Sequence, residues 1–120
     1  MIVRVTYRDE EIMLDKVIID TGSSGTLFSL DKLENIRIKP EPNDLIHRIS
    51  GIGGSEFVFV KQIDKISVGE LQLTNFDIEI GAMDYGFDLD AIIGMDFLLQ
   101  TNAIIDLAQL EIYQLNDQVM

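Results

Sequence analysis

The sequence predicts an all-β, barrel-like fold with one or two short helices. Three observations point there. Apolar residues come in short runs with alternating patterning, as in "MIVRVTY" and "LQLTNFDIEIG". Turn residues punctuate the chain at short intervals. About eight strand-like segments stand against at most two short helical ones, a count and spacing that suit a closed, barrel-like sheet. With 120 residues, 47% of them hydrophobic, the chain fits one domain over 1–120 with a substantial core.

The elements follow in order. "MIVRVTY" reads as a strand, "RDEE" as a turn, and "IMLDKVIID" as the returning strand of a hairpin. After a small-residue loop comes "TLFS", where Ser29 can cap a short helix at "LDKLEN". "IRIKP" resumes extended structure and "PEPN" breaks it. "LIHRISGIGGSEFVFVKQIDKISV" gives two strands around a glycine-rich tip. "GE" turns into "LQLTNFDIEIG". "AIIG" is a short apolar strand, "MDFLLQTN" holds about two helical turns, and "AIIDL" and "LEIYQL" close a last hairpin.

Composition removes several functions. The chain has no cysteine, which excludes thiol catalysis, disulfides and thiolate metal sites. Its single histidine, His47, excludes a multi-histidine metal site within one chain, and no metal or other cofactor is expected. A net charge of −12 repels phosphate backbones, so nucleic acid is not an expected partner. It also favours neutral or basic partners weakly, although solubility alone accounts for it. No apolar run reaches the roughly 18 residues of a membrane span, and "MIVRVTYRDEE" lacks the apolar region of a signal peptide. A cytoplasmic protein without membrane contact is expected.

Three places stand out chemically. In "VIIDTGSSGTLFS" a buried-looking strand runs into Asp20, and a carboxylate at such an end is partly desolvated. Gly22 permits a close backbone approach, and hydroxyls and amides around it can bond the carboxylate. An Asx-turn ending the strand explains the same residues. In "DLDAIIGMDF", Gly94 interrupts an apolar run, as glycine does where backbones pack closely. Asp88, Asp90 and Asp96 lie nearby, but "AIIG" puts aliphatics where a calcium loop needs oxygen ligands. The hairpin tip "SGIGGS" suits a mobile lid and lacks the Gly-Lys-Ser/Thr of a phosphate loop. His47, on the first strand of that hairpin, reads as a structural or surface residue.

Together these pieces resemble a retropepsin-type aspartic protease. Asp20-Thr21-Gly22-Ser23 matches the Asp-Thr-Gly-Ser/Ala signature, Ile92-Ile93-Gly94 the hydrophobic-hydrophobic-Gly element, and the tip the flap. "GMDFLLQTNAIIDL" is similar to the Gly-x-Asp-Phe-Leu ending of the cellular and bacterial branch. The resemblance runs along the whole chain in the right order. It departs from retroviral enzymes, in which acidic residues follow the first motif and Arg-Asn the second glycine. Here those places hold Ser24-Gly25 and Met95-Asp96, so the Arg–Asp tie of retroviral dimers is missing. The flap also lacks the tyrosine of two-lobed pepsin-like enzymes.

The resemblance implies a homodimer in which two copies of Asp20 share a water. A chain with one Asp-Thr-Gly has no other route to a dyad. It implies that Thr21 locks the two active-site turns together, and that Gly22 admits amides to the carboxylates. Ser23 would bond the carboxylate and favour its ionised form. Ile92, Ile93 and Gly94 would pack behind the loop, and Gly51, Ile52, Gly53 and Gly54 would fold over an extended peptide substrate. The expected activity is that of an aspartic endopeptidase. The alternative is a non-catalytic member, used as a dimerisation or peptide-binding module.

Overall fold

The computed structural model describes residues 1–51 and 54–115. Its strands are β1 (Val3–Tyr7), β2 (Glu10–Leu14), β3 (Val17–Ile19), β4 (Leu27–Ser29), β5 (Ile46–Gly51), β6 (Gly54–Val68), β7 (Leu71–Gly81), β8 (Ala91–Ile93), β9 (Ala103–Asp106) and β10 (Glu111–Gln114). Two short helices, α1 (Leu30–Leu33) and α2 (Met95–Gln100), complete it, with a 3-10 turn over Glu34–Ile36. The all-β class is as expected. The sheet curls into a half-barrel in the order β2-β1-β6-β7-β4-β8-β3, with β5 paired to β6, while β9 and β10 form a separate pair. No helix is long and apolar enough to cross a membrane among the described residues.

β6 is the spine. It pairs with β5 over Gly54–Phe59, with β7 over Phe59–Val68 and with β1 over Lys65–Val68. Alternation puts Val3, Val5 and Tyr7 of β1 and Ile78 and Ile80 of β7 inward, and Ile63 and Ile66 of β6 are buried with them although the alternation of β6 changes phase at Asp64–Lys65. They meet Phe28, Leu33, Ile93 and Phe97 in one core, where Phe76 and Phe97 pack edge to face at 6.0 Å. The β1–β2 turn places Arg8 and Asp9 at φ 48° and 68°, the geometry whose twist matches a tight hairpin. The Asp64 carboxylate accepts the Arg8 amide at 2.7 Å and holds that turn to β6.

Two sequence expectations are corrected. "IMLDKVIID" is two strands, because the chain changes partners at Asp15–Lys16, leaving β1 for β8. The backbone of Lys16 is pinned there by Asp90, which donates its amide to the Lys16 carbonyl (2.7 Å) and accepts the Lys16 amide on its carboxylate (3.2 Å). "IRIKP" is not a strand. Arg37 is left-handed at φ 64°, the Ile38 amide donates to Leu33 and the Arg37 amide to Glu34, which together form a Schellman cap. Ile36 and Ile38 are therefore both buried, where strand alternation also expected them. Ser29 does flank α1, but its hydroxyl makes no capping bond.

One buried cation ties the loop before β5 to the spine. The Lys61 side chain is 6% exposed and its ammonium meets Glu41 and, at 2.7 Å, Asp44. Burial opposes the charge on Lys61, but the two carboxylates outweigh it and raise its pKa above the ordinary lysine value. Hydrogen bonding to Lys61 lowers the pKa of Glu41. At Asp44, burial is opposed and overcome by Lys61 and by the Glu41 amide, so that pKa falls too. The carboxylates stabilise the fold above their unfolded pKa values and lose that effect as pH falls through the depressed ones. Lys61 stabilises below its unfolded pKa and loses that effect as pH rises through the raised one. The cluster thus supports the fold from mildly acidic to mildly alkaline pH. Glu41→Gln with Asp44→Asn strands a buried ammonium and should lower stability by urea unfolding at neutral pH. Lys61→Met leaves carboxylates that can turn to water and should cost less. The reverse order would contradict this assignment.

Candidate active site

The site is built around β8. β3 runs parallel to it, with Ile18 opposite Ile92, while β4 runs antiparallel on its other side, with Leu27 also opposite Ile92. The chain must therefore leave β3, pass over the end of β8 and come back down as β4. The crossing segment is residues 20–26, and beneath it lies Gly94. A β-carbon on Gly94 would stand 2.8 Å from the Ser23 carbonyl oxygen, 2.6 Å from the Gly25 carbonyl carbon and closer still to the Gly25 oxygen. These are backbone atoms with nowhere to move, so glycine is required by close approach.

Hydrogen bonds fix the crossing. Asp20 donates its amide to Ile93 at 2.9 Å, carrying β3 pairing to the last residue before the loop. The first amides of α2 have no partner within their own helix. Met95 gives its amide to the Ser23 carbonyl at 2.7 Å and Asp96 to the Ser24 carbonyl at 3.3 Å. The Thr26 hydroxyl, fully buried, donates to the Asp96 carboxylate at 2.7 Å and accepts the Gly94 amide at 3.1 Å. The same carboxylate accepts the Thr26 and Phe97 amides. One Thr–Asp pair thereby joins the loop, the glycine beneath it and the helix behind it.

On this platform the Asp20 carboxylate is half-buried. Its Oδ1 accepts the Gly22 amide at 2.8 Å, and its carbonyl accepts the Ser23 amide at 3.1 Å. That is an Asx-turn, so the plain reading of the sequence was correct in its geometry. The turn also orients the carboxylate and leaves Oδ2 without a hydrogen bond among the described residues. A β-carbon on Gly22 would press to 3.2 Å from Oδ1, in keeping with the close approach expected there. Thr21 is exposed at the crest. Ile93 is fully buried in the core behind the loop, and Ile92 is half-buried on the opposite face. Ser23 differs from expectation. Its hydroxyl donates to the Gly25 carbonyl at 2.7 Å and not to Asp20, because the loop folds back over that side chain. It braces the loop instead of tuning the carboxylate.

A second apolar cluster lies on the face of the sheet away from the core. Leu27, Val58, Met83 and Leu89 are buried in it, with Ile49, Tyr85 and Ile92 packed around. It joins the arms of the β5–β6 hairpin to the strands flanking the loop and to the segment that precedes β8. On the hairpin, Glu56 accepts the Met83 amide at 3.4 Å. Burial, reinforced by the nearby Glu56 carboxylate, raises the Tyr85 pKa. Of the flap residues, Gly51 is opposite Gly54 in the β5–β6 register, and Gly54 has φ 107°, which favours glycine. Ile52 and Gly53 lie outside the described residues.

The three aspartates near Gly94 face different partners. Asp88 pairs with Lys16, Asp90 holds the Lys16 amide beside the Lys32 ammonium (3.7 Å), and Asp96 holds Thr26. Sequence reading gave Thr26 no role and took Asp96 as one of three nearby carboxylates and as part of a motif ending. The contact between them spans 70 positions, and the "GMDF" stretch was its one signal. Thr26→Val should keep the side-chain shape but leave the Asp96 carboxylate and Gly94 amide short of a partner. It should cost about 2–3 kcal/mol by urea unfolding. A loss below about 0.5 kcal/mol would show that the loop does not hang on this pair.

Comparison with family models finds a match over residues 3–97, from β1 into α2, to a model described as an aspartyl protease. The matched span contains the crossing loop, the hairpin and Gly94, and leaves β9 and β10 outside. No curated protein matches the chain.

Proposed function

The chain belongs to the aspartyl protease family, of the retropepsin-like kind, and from that premise we propose that it is an aspartic endopeptidase acting as a homodimer. Each chain gives one Asp20 to a shared dyad. One observation carries the reading: a single carboxylate, aimed by its own loop amide, with one oxygen unengaged among the described residues at the crest of a braced crossing. A lone carboxylate in that place lacks half of an acid–base pair.

Two such carboxylates a few ångström apart would not both ionise, so they would share a proton. The charged member takes a proton from the water between them as it attacks the peptide carbonyl. The protonated member donates a hydrogen bond to the carbonyl oxygen. The proton then passes to the leaving amine, and the two members exchange roles. Titration belongs to the pair and not to either copy. In such a dimer the exposed Thr21 would meet the partner loop. Ile92 and Ile49, packed on the buried Leu27, would line an apolar cleft for residues beside the scissile bond, with the β5–β6 hairpin above an extended peptide.

The β9–β10 hairpin supports a second copy. A two-stranded sheet is marginal alone, and this one leaves Leu107 and Leu110 80% and 88% exposed, with Leu99 of α2 exposed too. A second chain placed on these residues would bury apolar surface and strand edges together.

Purified protein incubated with casein from about pH 3 to 7 should cleave it at acidic pH, and the Asp20→Asn variant should not. Cleavage by both would point to a contaminant. Cleavage by neither, or a strict monomer by sedimentation at high concentration, would leave a non-catalytic peptide-binding module.

A further inference from the structure

Glu79 lies in β7, opposite Val60 of β6 on one side and Leu27 of β4 on the other. Its neighbours Ile78 and Ile80 are fully buried in the core, so alternation turns Glu79 to the other face, that of the crossing loop. There its carboxylate fills the space above Gly25. A β-carbon on Gly25 would stand 3.2 Å from Glu79 Cδ and would collide with Oε1. The loop thus carries a glycine where any side chain would displace this carboxylate. Glu79 Oε2 is bonded to His47 Nε2 from β5, its one ion-pair partner among the described residues, and no hydrogen bond among them engages Oε1. His47 shares the inner face of the hairpin with Ile49, two residues on, which packs in the apolar cluster with Leu27 and Ile92. The Glu79 side chain is 20% exposed.

A partly desolvated carboxylate, steadied on one oxygen and without a hydrogen bond on the other among the described residues, stands beside the apolar cluster that the proposed function makes the wall of the substrate cleft. We infer that Glu79 is a specificity-determining residue that takes a lysine or arginine side chain from the peptide bound in that cleft. His47 holds the carboxylate in position through Oε2. This rests on the cleft being the substrate site, as the proposed function has it. Partial burial makes such a charge-assisted bond stronger than an exposed pair, and the net charge of −12 favours a cationic ligand at longer range. A neutral or acidic side chain would leave Oε1 facing a group that cannot donate to it with charge.

The test separates binding from cleavage. Fluorescent peptides identical but for lysine, glutamine or glutamate at each position in turn are titrated onto the Asp20→Asn protein, which binds without cutting. At one position lysine should bind about tenfold tighter than glutamine, and the difference should shrink as salt is added. Adding Glu79→Gln should bring the lysine-to-glutamine ratio close to one. His47→Gln, which removes the imidazole and keeps a hydrogen-bonding group, should keep the ratio, so the inference does not hang on one variant folding. No lysine preference at any position, or a preference that survives Glu79→Gln, overturns it. So does a preference lost in His47→Gln. A lysine preference in a protein that cleaves nothing would sink the protease reading and leave this one standing.

Discussion

The fold depends on one crossing. A chain that must pair both its outgoing strand and its returning strand with the same short strand has to pass over that strand's end. β8 is that strand, and Gly94 is the only residue type that fits beneath the passing backbone. Everything at the site follows from this constraint. The loop is held high and short, its carbonyls fall on the first amides of α2, and Asp20 is left at the crest with its amide still bonded to β8. The arrangement needs little help from its own side chains. The Thr26–Asp96 pair closes it by satisfying the buried polar groups that the crossing creates.

The same constraint explains why structure and chemistry are hard to separate in this loop. Asp20 makes the Asx-turn that an ordinary strand end makes, and that turn sets the direction of its carboxylate. A residue that looked like punctuation is therefore also the one acidic residue of the crossing loop, with Oδ2 free of hydrogen bonds among the described residues. Ser23 went the other way, from an expected partner of the carboxylate to a brace for the Gly25 carbonyl. Local geometry, not residue type, separated the two.

How much was legible follows from where each interaction lies along the chain. Strand alternation in "MIVRVTY" and "LQLTNFDIEIG" is local, and those elements were read correctly. Asp20, Gly22 and Gly94 lie in short motifs, so the crossing loop and the glycine beneath it were legible as the candidate site. Thr26 with Asp96, and His47 with Glu79, are joined across 70 and 32 positions, and single-sequence patterns carry nothing about such pairs. "IRIKP" failed for a different reason. Two isoleucines spaced by one residue fit a strand face, but a Schellman cap buries the same two, and its left-handed position is filled by Arg37 where glycine would have given the signal. "IMLDKVIID" concealed a change of partner whose cause, Asp90, lies more than 70 positions away.

The central claim is that Asp20 is completed by the Asp20 of a second copy. The direct measurement mixes wild-type and Asp20→Asn protein at fixed total concentration, with time for exchange, and follows peptide cleavage. Random pairing makes active dimers fall as the square of the wild-type fraction, so an equal mixture should retain about a quarter of the wild-type activity. Activity in simple proportion to the wild-type fraction, about half in that mixture, would mean that each chain works alone and would contradict the account.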